Sequence, residues 1–346
     1  MHVQEAIERC RRATLIFDVA TIAANIRRTA DAARAVGIRP LFAMKSFPRP
    51  EVLALAADAL DGFDVASPEE LRNAPASKIV SIADPSGAAI TEAHARTGRV
   101  IAACETLEQV RAAPPHAEIA LRLSASLCRL DPAIGSVHDG NRRRSRFGIE
   151  TREMVAELAA AARGRPVGLH VHHGPITASS GERFLASARA AMAVADFEPA
   201  FIDLGGAWHG VPDIAAAFAE VRAGLPASIE IIVEPGRIFC EGAGFAFGRV
   251  TAARPLKDRE LRVLDLSRIC HVWWSPVELV AQPPRPDSGR RVFVVGPTCF
   301  EEDTLGEWTI EPAQLAAHAV FSGVNGYSVA WNRGFAGVAP AEVILT

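Results

Sequence analysis

Eight short apolar runs, each separated from the next by a stretch with helical or loop character, limit the folds open to this chain more than any other feature. They lie at 41–44, 62–66, 78–82, 99–103, 118–123, 167–171, 201–204 and 229–233. Runs this short, bounded by polar and turn residues, have the length of buried strands, and intervening segments such as EVLALAADAL and EMVAELAAAARG repeat apolar residues at helical spacing. Strands alternating with helices make parallel β/α units. Eight units in about 240 residues predict a closed (β/α)8 barrel of the TIM type. An open doubly wound sheet is the alternative, but no Gly-rich dinucleotide loop follows the first run. The long connection 124–165 is expected to hold a loop, a short strand and a helix.

Past Gly242 the texture changes. β-rich runs at 245–250, 260–266, 291–295 and 319–322 are split by the Pro-rich AQPPRPDSGRR. This predicts a barrel over 20–240 and a mostly β domain over 241–346, with residues 1–19 contributing through the run 13–17.

With 49% hydrophobic residues, the chain can bury a sizeable core. A net charge of −3 gives no reason to expect nucleic acid or an anionic membrane as partner. The dense basic run Arg142, Arg143, Arg144 and Arg146 sits beside Asp139, Gly140 and Asn141 and reads as a solvated loop. Cys10, Cys104, Cys128, Cys240, Cys270 and Cys299 form no CxxC pair and no zinc-ligand spacing. A reduced, cytoplasmic setting is expected. The first residues lack an apolar signal core, and no apolar run approaches transmembrane length.

A β/α barrel works at the C-terminal ends of its strands. Those positions here hold Lys45, Asp64, Ser67, Arg122, His170, His172, His173, Gly174, Asp203, Gly205, Gly206, Glu234, Gly236 and Arg237. Singly, each has a plain reading as a solvated charge, a hydrogen-bonded filler or a turn glycine. On one face they form a constellation. The run IIVEPGR is its centre, because a carboxylate and a guanidinium at the mouth of a buried strand are costly unless paired. A cofactor with a protonated ring nitrogen and a phosphate pairs with both, and pyridoxal 5'-phosphate (PLP) is such a cofactor. Lys45 would tether its aldehyde as a Schiff base, and Glu234 would keep the ring nitrogen protonated. Gly205, Gly206 and Gly236 would bring backbone N–H groups to the phosphate, and Arg237 would add a charge-assisted contact. His172 would stack on the ring. His170 and His172 share a strand face, but no adjacent acidic pair completes a metal site, so no metal is expected.

These residues are also where the chain resembles a known family, the fold-type III PLP decarboxylases that act on ornithine, diaminopimelate, arginine and carboxynorspermidine. The matching segments are FAMKSF, GFDVASPEEL, LRL, SRFGI, GLHVHHG, FIDLGG, VEPGR, GPTC and Gly326-Tyr327-Ser328, in the family's order. LDLSRICH, LGGAWHG and GPTCFEEDTLGEW lean toward the carboxynorspermidine/carboxyspermidine branch, whereas the arginine of EPGR leans away from it. The resemblance implies a homodimer with shared active sites. In it, Lys45 matches the Schiff-base lysine, His172 the stacking histidine, Glu234 the pyridinium partner and Arg237 a phosphate ligand. Asp64 and Arg122 join the cofactor site, and Tyr327 matches a tyrosine near the phosphate. Cys299 matches a cysteine that reaches the site from the partner chain and reprotonates the quinonoid carbon. Substrate binding is expected from His271, Phe300, Glu301, Glu302 and Asp303. Three departures stand out: Phe300 replaces a frequent Asp, Pro175 a phosphate-side Ser, and Ala207 the third loop Gly.

The function expected is α-decarboxylation of an amino acid or carboxy-polyamine-like small molecule. A PLP-dependent racemase or epimerase is the alternative. A non-catalytic PLP carrier or pseudoenzyme fits less well, because Lys45 is present and roughly 100 residues follow the barrel.

Overall fold

The computed structural model describes residues 2–128, 146–162, 164–172, 181–285 and 288–346. The chain divides into two units. One comprises Ile26–Lys45 and Arg49–Ile238, the other Met1–Asn25, Ser46–Pro48 and Phe239–Thr346.

The strands, in chain order, begin with β1 (Thr14–Phe17). Then follow β2 (Ile38–Ala43), β3 (Gly62–Val65), β4 (Ile79–Ile82), β5 (Val100–Cys104), β6 (Glu118–Arg122), β7 (Val167–His170), β8 (Phe201–Asp203) and β9 (Glu230–Val233). Strands β2 to β9 pair in parallel, each with the next, and β9 closes on β2 through Ile38↔Ile231. All eight apolar runs of the sequence are barrel strands. They read as continuous apolar segments because parallel strands are covered on both faces. Leu41, Ile101, Ala103, Ala120, Phe201 and Ile232 fill part of the interior.

Two of the barrel helices begin at side-chain caps. Ser67 accepts from the Glu70 N–H, and Glu70 reaches back to the Ala66 N–H at 2.7 Å, a reciprocal cap on the helix Pro68–Asn73. Thr106 and Gln109 make the same box on Leu107–Ala112. Of the long connection, a bridge from Leu123 to Ile149 and the helix Arg152–Ala161 are seen. Arg142, Arg143 and Arg144 lie outside the described residues.

The N-terminal ends of the barrel strands carry an ion cluster. The Arg99 guanidinium holds Glu118 at 2.8 Å and Glu230 at 2.5 Å, and Arg39 meets Glu230 and also Asp61. These groups are half-buried and linked into a network, the arrangement in which ion pairs contribute more than isolated surface pairs.

The second unit is mostly sheet. Its remaining strands are β10 (Gly244–Leu256), β11 (Arg259–Leu264), β12 (Glu278–Leu279), β13 (Arg290–Val295), β14 (Thr304–Ile310), β15 (His318–Ser322) and β16 (Glu342–Leu345). The order is β12-β15-β10-β11-β13-β14, and β1 pairs antiparallel with β10 and parallel with β16. A shift in register between Val250 and Ala252 lets the long β10 pair with β15 in its first half and with β11 in its second. All six cysteines are free, and only Cys299 is exposed. No described helix is long and apolar enough to cross a membrane.

Candidate active site

The side chains at the C-terminal ends of β2, β3, β7, β8 and β9 converge. Lys45 sits in a one-turn helix, Met44–Ser46, directly after β2, and its Nζ pairs with Asp64 Oδ2 on β3. Lys45 is 40% exposed while Asp64 is fully buried. Burial pushes the Asp64 carboxyl up to about 7, the negative Glu234 pushes the same way, and Lys45 opposes both. A carboxyl poised there beside an amine can exchange a proton with it. Because its folded value lies above the ordinary one, its contribution to stability is present in acid and lost as pH rises toward about 7.

Glu234 follows β9 and is 4% exposed. Burial alone would raise its carboxyl. His170 at 3.7 Å, Lys45 and His172 outweigh burial and hold it below the usual carboxylate range, so it is an anion. Its Oε1 has no hydrogen-bond partner among the described residues, and neither do Asp64 Oδ1 or the two ring nitrogens of His170. Buried polar atoms without partners are costly. A cationic ring N–H held against Glu234 would satisfy its free oxygen.

The turn after β8 forms the adjoining cradle. Gly205 has φ +62, and a Cβ there would lie 2.5 Å from His172 Nδ1, so only glycine fits. The Gly206 N–H donates to His172 Nδ1 at 3.2 Å, which leaves the neutral ring's proton on Nε2. Desolvation lowers the His172 pKa, with Glu234 opposing and His170, Lys45 and Arg122 adding. Ala207 also has positive φ, at 69°, which costs a non-glycine residue about 1–2 kcal/mol. Trp208 supports the turn from below. Its N–H donates to Gly205 O at 2.9 Å, and its ring stacks on Phe184 at 3.5 Å with Phe218 edge-on at 4.9 Å. Trp208→Ala is expected to cost about 3–5 kcal/mol in denaturant unfolding. A loss under about 1 kcal/mol would show the turn to be independent of this packing.

Gly236 and Arg237 follow Glu234, and Arg237 opens a short helical turn ending at Cys240. His209 feels the Arg237 charge, which adds to desolvation in lowering its pKa. Arg122 at the end of β6 is mostly buried, pairs with Glu105 at 3.2 Å and lies over the Phe147 ring at 4.4 Å. His173, Gly174 and Pro175 lie outside the described residues.

The residues expected from the β unit divide sharply. Phe300, Glu301 and Glu302 are exposed on a loop with Cys299, and Phe300 packs edge-on against Phe335 at 5.2 Å. Asp303 is different. It is 2% exposed and accepts from Ser267 Oγ, the Arg268 N–H, the Thr298 N–H and Thr298 Oγ1 at 2.6–3.0 Å. His271 is fully buried, with Nδ1 bonded to the Ser267 N–H and Nε2 to Ala339 O, each at 3.0 Å. Both side chains have their polar atoms committed to loop structure. Tyr327 begins the helix Tyr327–Trp331, and its ring centroid is 6.4 Å from that of Trp274.

Two strand-end residues that the sequence leaves without a role lie buried beside Glu234. Asp203 is fully buried, and His170 is 1% exposed. The acidic partners that the sequence does not place beside the histidines come to His170 from β8 and β9. An acid inside the apolar run FIDL was the available signal.

The barrel, the lysine, the carboxylate with one free oxygen and the glycine turn together fit PLP, with Lys45, Glu234, Gly205 and Gly206 as the residues to hold it. Fold and site define a PLP-dependent barrel enzyme. Residues 19–241 match the family described as pyridoxal-dependent decarboxylase, pyridoxal binding domain. The chain belongs to this family of PLP-dependent carboxy-lyases. A search of curated proteins finds no match. Among solved structures, lysine/ornithine decarboxylase from Vibrio vulnificus complexed with cadaverine is similar at 18% identity and TM-score 0.79, over 99% of this chain and 97% of that one. Arginine decarboxylase of Paramecium bursaria Chlorella virus bound to agmatine gives 17% and 0.77, over 99% of each chain. Lysine decarboxylase from Selenomonas ruminantium gives 18% and 0.77, over 99% and 94%.

Proposed function

We propose that the chain removes CO2 from the α-carbon of an amino-acid-type substrate with an extended, amine-bearing side chain. The observation that carries this reading is the buried anion Glu234, one oxygen free, at the same barrel end as Lys45. Bound PLP supplies an electron sink. Lys45 would hold the cofactor covalently, and Asp64 would take up or return the proton of the Lys45 amine. Glu234 would keep a proton on the ring nitrogen. His172, held by the Gly206 N–H, would lie against the ring. The N–H groups of the glycine turn, Gly236 and Arg237 would hold the phosphate, and Arg122 would complete the cofactor site.

The enzyme is proposed to act as a cytoplasmic homodimer. Cys299 and Tyr327 of a second copy complete each site, with Cys299 as proton donor to the α-carbon. Phe300, Glu301 and Glu302 form the substrate's distal pocket. The cadaverine and agmatine of the related structures support an amine product with a long side chain. The carboxy-polyamine reading rests on the LDLSRICH and GPTCFEEDTLGEW segments.

Turnover in D2O tests the reaction type. A screen of basic amino acids, diaminopimelate, acidic amino acids and carboxy-polyamines is expected to yield CO2 and an amine with one solvent deuterium at the former α-carbon. Exchange of the α-hydrogen without CO2 release would replace this reading with racemisation.

A further inference from the structure

Asp203 is fully buried at the end of β8. Its Oδ1 accepts from the Gly205 N–H at 2.9 Å and its Oδ2 from Ser81 Oγ at 3.3 Å. Its remaining neighbour is a second buried carboxyl, that of Glu234. One donor atom from each of His170, Asp203 and Glu234 lies within 4.8 Å of the others. Two anions this close in a dry site repel strongly, and a proton on one of them lets it donate to the other. One of the pair must be a neutral acid. The surroundings decide which.

The titratable groups facing Asp203 are Glu234 beyond β9, His170 at the end of β7 and Asp64 on β3; β4 contributes the neutral Ser81. Lys45, His170 and His172 all favour charge on Glu234. Burial and the negative neighbours Glu234 and Asp64 disfavour it on Asp203, despite the Gly205 N–H, and raise its pKa well above the usual carboxylate range.

We propose that Asp203 is a neutral carboxylic acid whose proton is donated to Glu234, making it a positioning residue that fixes the Glu234 carboxylate and leaves its other oxygen free for the cofactor ring. Through Gly205 it ties the same carboxylate to the glycine turn. The consequence for the ring rests on the reading of Glu234 given above. The placement of the proton does not.

The test is Asp203→Asn in the full-length, PLP-loaded protein. Asparagine keeps the acceptor for Gly205 and replaces the acid O–H with an amide N–H donor. Turnover and the visible absorbance of bound PLP are then expected to stay within about threefold of wild type. Asp203→Leu, which has no donor, is expected to lose at least about tenfold in kcat and to shift that absorbance. Thermal unfolding supplies a readout independent of activity. A carboxyl protonated when folded but ionised when unfolded loses stability as pH rises above its ordinary pKa, and asparagine does not. The Tm of Asp203→Asn minus that of wild type should therefore grow as pH rises from about 4 to 8. Infrared spectra at about pH 9, above the Asp64 range, should show a protonated-carboxyl band in wild type that Asp203→Asn lacks.

A Tm difference flat with pH, no such band, or a large absorbance change in Asp203→Asn would overturn the proposal. If the pH slope and band appear but Glu234→Gln turns over normally, the proton stands and the ring-partner reading falls. If Glu234→Gln is slow but slope and band are missing, the reverse holds.

Discussion

Lys45→Ala is expected to strip the protein of the visible absorbance of covalently bound PLP and to lower CO2 release at least ~1000-fold, about 4 kcal/mol of barrier. The effect is large because no other lysine can replace it. The remaining two, Lys78 and Lys257, lie before β4 and in the β unit. Loss of the ammonium also leaves Asp64 buried beside Glu234 without its cation. An unpaired buried carboxylate takes up a proton rather than stay charged, so the Asp64 pKa should rise further and the barrel should remain folded. Absorbance titration with added PLP and a CO2 assay check the result. An unchanged visible spectrum in the variant would remove Lys45 from the site and most of the mechanism with it.

Glu234→Gln is expected to keep the cofactor but lower kcat about 100-fold, about 3 kcal/mol. Glutamine has the shape of glutamate, and its carbonyl oxygen can still accept from Asp203. What it lacks is the negative charge that keeps a proton on the ring nitrogen. The pH profile adds a second check. Glu234 is held ionised by His170 and Lys45, so it should not titrate in the working range, and any acid limb near neutrality belongs to Asp64. Near-normal turnover in Glu234→Gln would mean that the ring does not depend on this carboxylate.

The barrel was legible because its strands are buried on both faces and appear as unbroken apolar runs. The β unit was legible only in part. β14, TLGEWTI, alternates buried and exposed residues and carries Gly306, so neither length nor apolarity marks it. The second half of β10 is mostly exposed and contains Pro255, which obscured its extent. At the site, Lys45, Glu234 and the glycine turn could be read from motifs and strand ends. Asp203 could not be assigned, because a neutral acid and a turn-forming aspartate look alike in sequence, and only proximity to Glu234 separates them. His271 and Asp303 show the converse. A shared motif gave their positions, but hydrogen bonds to Ser267, Ala339 and Thr298 decide where their polar atoms are spent.

β9 begins with Glu230 in the ion cluster around Arg99 and ends just before Glu234. Four residues of extended backbone span about 13 Å at ~3.3 Å each. The strand thus works as a gauge rod. Its foot is clamped by two guanidinium groups and its tip sets how high the reactive carboxylate stands relative to the lysine. Since a slip of one residue would turn that acid from the interior to the outside, the clamp far from any substrate guards the alignment of the chemistry.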